Sequence, residues 1–337
     1  MKLHMSKHSL EAFGWNTLLQ TTLETMQPGK LEPARVIAEY GMNYRVAAPD
    51  EFTAEISGKV LHELEPTARP KVGDWVLLER IDSGRGTIHQ VMPRTSEISR
   101  LQTDRTRTTR RPEKQVLAVN VDTAFLVQSL DQDFSPERLE RYLFALGKSG
   151  IKATIVLNKT DLGGDIAGAI EQIKSLHLPV IVGSAITGQG MDEIERAIAI
   201  GHTAVFLGSS GVGKSTITNR LLGEERQTTQ AVRESDSKGR HTTSHRELFK
   251  LPGGGLVIDT PGLRELQLWG SESALETVFA DIEMLAVNCQ FQDCAHLQEP
   301  GCCVQAAVAN GTLAAKRLET FHQFQRELRA SAQNYDT

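Results

Sequence analysis

Cysteine is almost missing from this sequence. Only four of 337 residues are cysteine, and Cys289, Cys294, Cys302 and Cys303 crowd into one stretch near the C-terminal end. A disulfide scaffold spreads its cysteines, so this clustering reads as a metal site in a reducing compartment. Long apolar runs are missing too. The longest stretch free of Asp, Glu, Lys and Arg, residues 197–213, is broken by Gly and Ser. It falls short of the roughly 20 residues that a membrane span needs. Residues 1–15 include basic side chains but no apolar core and no small-residue cleavage site, so no secretory leader is read and a cytoplasmic protein is expected. Nor is there an excess of positive charge: 37 basic residues face 42 acidic ones, a net charge of −5. Any surface for nucleic acid must therefore be local.

The rest is an ordinary globular balance, 39% hydrophobic and 23% charged, over a length that suits two or three domains. Residues 1–33 form an extension without a readable motif, of which Gly14-Trp15-Asn16 is the piece placed to pack on the next segment. Residues 34–99 hold short β-rich runs at 34–39, 44–48, 53–60, 75–80 and 87–92, separated by turn formers. That count suggests a small barrel of the OB type. Residues 100–114 carry Arg100, Arg105, Arg107, Arg110, Arg111 and Lys114 against Asp104 and Glu113, a basic linker whose place beside a barrel suits phosphate contacts. From 115 to 268 apolar strands alternate with helical segments, the pattern of a parallel sheet covered by helices. Residues 269–337 look helical around the cysteines, and Leu318, Phe321, Phe324 and Leu328 make a packing stripe, with Lys316, Arg317, Arg326 and Arg329 off it as a solvated basic face.

Gly208-Ser209-Ser210-Gly211-Val212-Gly213-Lys214-Ser215 matches the phosphate-loop pattern and lies between an apolar strand and a helix pattern. Its glycines let backbone N–H groups surround an anion at a helix N-terminus. Lys214 would neutralise the β- and γ-phosphates, and Ser215, followed by Thr216, would offer a hydroxyl to Mg²⁺. Asn158-Lys159-Thr160-Asp161 selects the base. The Asp161 carboxylate can accept from guanine N1–H and N2–H₂, which adenine lacks, and an unmatched buried acceptor costs about 1–3 kcal/mol. The Lys159 stem can cover the base and Asn158 can brace the phosphate loop. Ser184-Ala185 is placed for a backbone N–H to guanine O6. Asp259-Thr260-Pro261-Gly262 would hold Mg²⁺ through its water shell and sense the γ-phosphate. Thr242 and Thr243 sit in a polar stretch that reads as a mobile loop, and Thr243 is preferred as the threonine completing the Mg²⁺ shell.

Along the chain the base reader precedes the phosphate loop, the reverse of an ordinary small GTPase. A sheet tolerates that rotation where the old termini lay close together. Cys289, Cys294, His296 and Cys302 have the types and spacing of a closed Cys₃His site for one structural Zn²⁺. The rotated order, the string Gly239-Arg240-His241-Thr242-Thr243, the N-terminal barrel and this cluster together resemble the circularly permuted, small-subunit-dependent GTPases of the RsgA/YjeQ family. The resemblance covers about residues 34–330. It implies an α/β, circularly permuted P-loop GTPase core with an OB-like barrel in front and a helical zinc domain behind. It implies GTP hydrolysis, stimulated by the small (30S) ribosomal subunit, in late maturation of that subunit. With it, rRNA contacts through the barrel and basic segments, and a monomer, are expected. It also favours Cys302 over Cys303 as the fourth ligand. Leu263 stands where a typical small GTPase has a water-positioning Gln, and the resemblance points to His241 in that role, beside Lys214 and Thr243. Two other readings stay open from residues alone: a P-loop ATPase or small-molecule kinase, and an RNA-binding scaffold with a weak nucleotide site.

Overall fold

The computed structural model describes residues 10–103, 112–131, 134–147, 149–223, 246–259, 275–276 and 278–333. Asn16 starts helix α1 (Thr17–Met26) by accepting the Leu19 N–H at 3.0 Å. Strands β1 (Glu32–Tyr40), β2 (Asn43–Ala48) and β3 (Asp50–Ile56) come next. The third strand is shorter than its apolar pattern suggests. Ser57 accepts the Val60 N–H at 3.3 Å and opens α2 (Gly58–Glu63), which turns Val60 into a helical core residue. Strands β4 (Trp75–Arg80) and β5 (Arg85–Val91) complete the set. The order β1-β2-β3-β5-β4, closed by pairing of β1 with β4 and parallel only at β3–β5, is a five-stranded barrel of the OB type. Its core is built on Val36, Tyr44, Val46, Trp75, Leu77 and Ile88. Trp15 meets Trp75 edge-on, with ring centroids 4.8 Å apart, so Gly14-Trp15-Asn16 does pack on the barrel.

Strands β6 (Glu97–Thr103) and β7 (Pro112–Val119) pair as a separate two-stranded sheet, so both ends of the basic stretch are strand and 104–111 lie outside the described residues. Then come β8 (Thr123–Ser129), α3 (Pro136–Leu146), β9 (Lys152–Asn158), α4 (Ile166–Ile173), β10 (Val180–Val182), α5 (Met191–Ala197), β11 (Thr203–Leu207), α6 (Lys214–Leu222), β12 (Glu247–Lys250) and β13 (Leu256–Asp259). Strands β10, β9, β8, β11 and β13 lie side by side and parallel. Each is nearly all apolar because both faces are covered. The short β12 was not evident from sequence. It runs antiparallel to β13 and, through Ala38↔Glu247, pairs also with β1, so barrel and core share one eleven-stranded sheet.

The chain divides into two compact units: residues 1–99, 115–135 and 149–265 in one, residues 100–114, 136–148 and 266–337 in the other. Within the first, Arg35 of β1 is buried where barrel meets core. Its Nη2 donates to Asn120 O at 3.3 Å and Thr203 Oγ1 at 3.1 Å, and its guanidinium lies 5.2 Å over the Trp75 ring. Burial pushes this guanidinium down to about 10, against the opposing pull of Asp122 and Asp74.

The second unit contains α3, α7 (Ala280–Ala286), α8 (Cys303–Ala309) and α9 (Ala315–Gln333). Leu318, Phe321 and Phe324 are buried as their spacing predicts, with Phe144 and Phe279 packed edge-on against them. Lys316, Arg326 and Arg329 are exposed, but Arg317 is not part of a solvated face. It binds Asp281 in two hydrogen bonds of 2.8 and 3.0 Å, pairs with Glu140, donates to Val278 O and covers the Phe279 ring. No helix among the described residues is long and apolar enough to cross a membrane.

Candidate nucleotide site and metal centre

Five adjacent parallel strands deliver the sequence motifs to one edge of the sheet. Asn158 ends β9, Ser184-Ala185 lies just past β10, the phosphate loop just past β11, and Asp259 ends β13. The carboxyl edge of a parallel sheet is where such folds bind ligands. One side chain ties three motifs together. Asn158 is buried; its Nδ2 donates to Val212 O at 2.7 Å and its Oδ1 accepts the Ala185 N–H at 3.0 Å. Base reader, supporting dipeptide and phosphate loop therefore meet at a single amide. Gly213 passes so close, with φ +100°, that a Cβ there would collide with Asn158 Nδ2.

Lys214 opens α6 and folds its ammonium onto the loop, donating to Gly208 O at 2.7 Å and Ser209 O at 2.6 Å. Ser215 and Thr216 occupy the first turn, and Val212 is buried beneath the loop, 1% exposed. Gly208, Ser209, Ser210 and Gly211 complete the cradle. Asp161 is exposed at the mouth, beyond Thr160, whose N–H donates to Gly183 O at 3.3 Å. Both N–H groups of Ser184-Ala185 are engaged internally, Ser184 with Gln189 O at 3.0 Å and Ala185 with Asn158. Lys159 has the unusual left-handed backbone, φ +64°, and its Nζ sits 3.0 Å from Asp131 Oδ2. Sequence reasoning assigned Asp131 no role, since a single carboxylate after a strand matches no pattern. Thr242, Thr243, His241, Gly262 and Leu263 lie outside the described residues.

The cysteine cluster assembles as its spacing implies. Cys289, Cys294, His296 and Cys302 bring one ligand atom each within 4.8 Å of one another. Cys302 Sγ and Cys289 Sγ lie 3.5 and 3.7 Å from His296 Nδ1 and 3.9 Å from each other. With Zn–S bonds of about 2.3 Å, a tetrahedron has edges of about 3.8 Å, so these spacings fit zinc and are far too long for a disulfide. A knuckle holds His296 at φ +60°: the Glu299 carboxylate accepts from the N–H groups of Ala295, Leu297 and Gln298, while Gln305 Nε2 donates to His296 O at 2.7 Å. Burial lowers the His296 pKa, keeping the neutral imidazole that a metal needs. Cys303 turns away and donates its thiol to Asn288 O at 2.9 Å.

The family model described as RsgA GTPase matches residues 91–269. A protein of Opitutus terrae named small ribosomal subunit biogenesis GTPase RsgA is 43% identical, over 97% of this chain and 92% of that one. This chain belongs to the RsgA GTPase family. A Lactiplantibacillus plantarum relative, named small ribosomal subunit biogenesis GTPase RsgA 2, is 41% identical over 95% of this chain and 89% of that one. Among solved structures, YjeQ from Thermotoga maritima is similar with a TM-score of 0.62 at 26% identity, covering 88% of this chain and 98% of that one. YloQ, described as a circularly permuted GTPase, is similar with a TM-score of 0.63 at 25% identity, covering 90% and 96%. The rotated motif order is thus the fold order of RsgA-type enzymes, and the chain is a GTPase that hydrolyses GTP to GDP and phosphate. Mg²⁺ accompanies the nucleotide, and the Cys₃His set suits one zinc.

Proposed function

We propose that this GTPase acts in late maturation of the small ribosomal subunit, in the cytoplasm and as a monomer, with hydrolysis stimulated by the subunit. Its relatives carry the name small ribosomal subunit biogenesis GTPase, and the barrel and the basic stretch 100–114 supply the surfaces for rRNA. The observation that carries the nucleotide reading is the Asn158 amide, which joins base reader to phosphate loop.

In this reading Asp161 accepts from the guanine edge, the Lys159 stem covers the base, and one Ser184-Ala185 N–H is shared between its internal acceptor and O6. The N–H groups of residues 208–213 and the Lys214 ammonium hold the phosphates. When GTP binds, Lys214 exchanges its two loop carbonyls for phosphate oxygens, a stronger charge-assisted pairing. Ser215, Thr243 and Asp259 would hold the Mg²⁺ that accompanies the nucleotide, and the ion would offset charge on the phosphates. Gly262 senses the γ-phosphate. Leu263 cannot orient water, so that task falls to His241.

The test is phosphate release from GTP with and without 30S subunits. Wild-type protein should be slow alone and accelerate with the subunit, whereas ATP should not compete. His241→Ala should bind GTP normally yet lose most of the acceleration. An unchanged rate on adding subunits would remove the ribosomal reading, and equal stimulated rates would remove the histidine.

A further inference from the structure

Strand β8 lies between β9 and β11, at the centre of the nucleotide edge, yet it leads into no recognised motif. Two residues past its end stands Asp131. We infer that Asp131 is a positioning residue, acting on the guanine base through Lys159; this rests on the proposal that Lys159 covers the base. Three observations support it. First, the Asp131 carboxylate is used on both oxygens: Oδ1 accepts from Ser129 Oγ at 2.7 Å and Oδ2 receives Lys159 Nζ at 3.0 Å. Second, Ser129 is a fixed anchor, buried at 1% exposed and in register with Asn158 on the neighbouring strand. The carboxylate is therefore held against the same strand pair that presents the base reader. Third, the Lys159 backbone occupies the left-handed region, φ +64°, a conformation that a non-glycine residue keeps where its surroundings enforce it.

The physical consequence is preorganisation. A free lysine side chain samples many rotamers, and laying its stem flat across a purine would cost that freedom at the moment of binding. Here the ammonium is already tethered, so the stem has fewer rotamers to lose when nucleotide arrives. The pair is about a third exposed, 28% and 32%, so its effect is that of a partly screened ion pair.

The test is calorimetric titration of GDP into the full-length protein, as wild type, Asp131→Asn, Lys159→Ala and the double variant. Asp131→Asn should weaken GDP by up to about fivefold, the upper end for an exposed ion pair, and the deficit should shrink in high salt. Lys159→Ala should weaken GDP more, and adding Asp131→Asn to it should change affinity less than about twofold, since the two act as one unit. A purely architectural Asp131 would still cost affinity in the Lys159→Ala background. Wild-type affinity in Asp131→Asn, or an undiminished loss in the double variant, overturns the inference. If Lys159→Ala itself binds GDP like wild type, the base-covering reading fails as well. Nucleotide-free melting curves of the four proteins check that each is folded.

Discussion

At the scale of single residues, the site turns on one amide and one missing side chain. Asn158 satisfies both ends of its amide on backbone from two other motifs, which makes it a strut between the Ser184-Ala185 dipeptide and the phosphate loop. That strut exists because position 213 has no Cβ and adopts a positive φ. Gly213→Ala should therefore displace Asn158 and strain the loop. In the free protein the loop relaxes away from the clash, and regaining the sparsely allowed binding geometry costs on the order of 1–3 kcal/mol, about a five- to 150-fold loss in GDP affinity. Titration calorimetry would read it, while the melting temperature without nucleotide should fall only slightly. This part of the site was legible in the sequence, because spacing and residue type each carry a mechanism: an amide after an apolar strand, glycines before a lysine. Asp131 was not legible. Its importance comes from which strand lies beside which, and a lone carboxylate does not reveal that. Arg317 was misread for a related reason. Charge alone suggests a solvated face, and only the tertiary neighbours Asp281, Glu140 and Phe279 make burial tolerable.

At the scale of elements, the zinc knuckle and its helices form one object. Cys302 belongs to the Cys₃His set suited to zinc and is also the cap of α8, where its sulfur accepts the Gln305 N–H at 3.4 Å. Cys289 lies shortly after α7, and its thiol is held below its ordinary value. Burial opposes ionisation there, and the N–H groups of Cys303 and Val304 outweigh it. Metal binding and helix packing should thus be lost together. Elemental analysis should give about one zinc per chain, and extraction by a chelator should remove helical circular dichroism, as for other structural sites. Cys302→Ser should lose the metal and Cys303→Ser should keep it; equal zinc content in the two would contradict the assignment. Element boundaries were read well where apolar runs are long, as in β11 or α6. They failed at β12, whose four residues come after a long polar stretch, and after β3, where one serine cap ended the strand.

At the scale of the whole molecule, buried charge shapes the response to pH. Glu140 shares Arg317 with Asp281, and its second oxygen is buried without a partner among the described residues. Burial raises its pKa above the ordinary 4.5, with Arg317 opposing only in part. The folded protein then holds this proton more tightly than the unfolded chain does. The contribution of Glu140 is therefore fully present in acid, below 4.5, and is lost as pH rises through the folded value. Thermal melts from about pH 4 to about pH 7 should show wild type losing ground to Glu140→Gln as pH increases. A constant difference across that range would contradict the sign.

The seam at β12 has one more implication. The region matched by the family model begins at residue 91, the last residue of the last barrel strand, yet the strand that borders the GTPase sheet finds its outer neighbour in β1, with Arg45 gripping Glu247 at 2.6 Å. A fragment cut at that point would carry a raw rim of unclaimed amides and carbonyls, the template on which copies of a chain zip together. Here the OB module serves as a hem for the GTPase sheet, and trimming it away invites fraying.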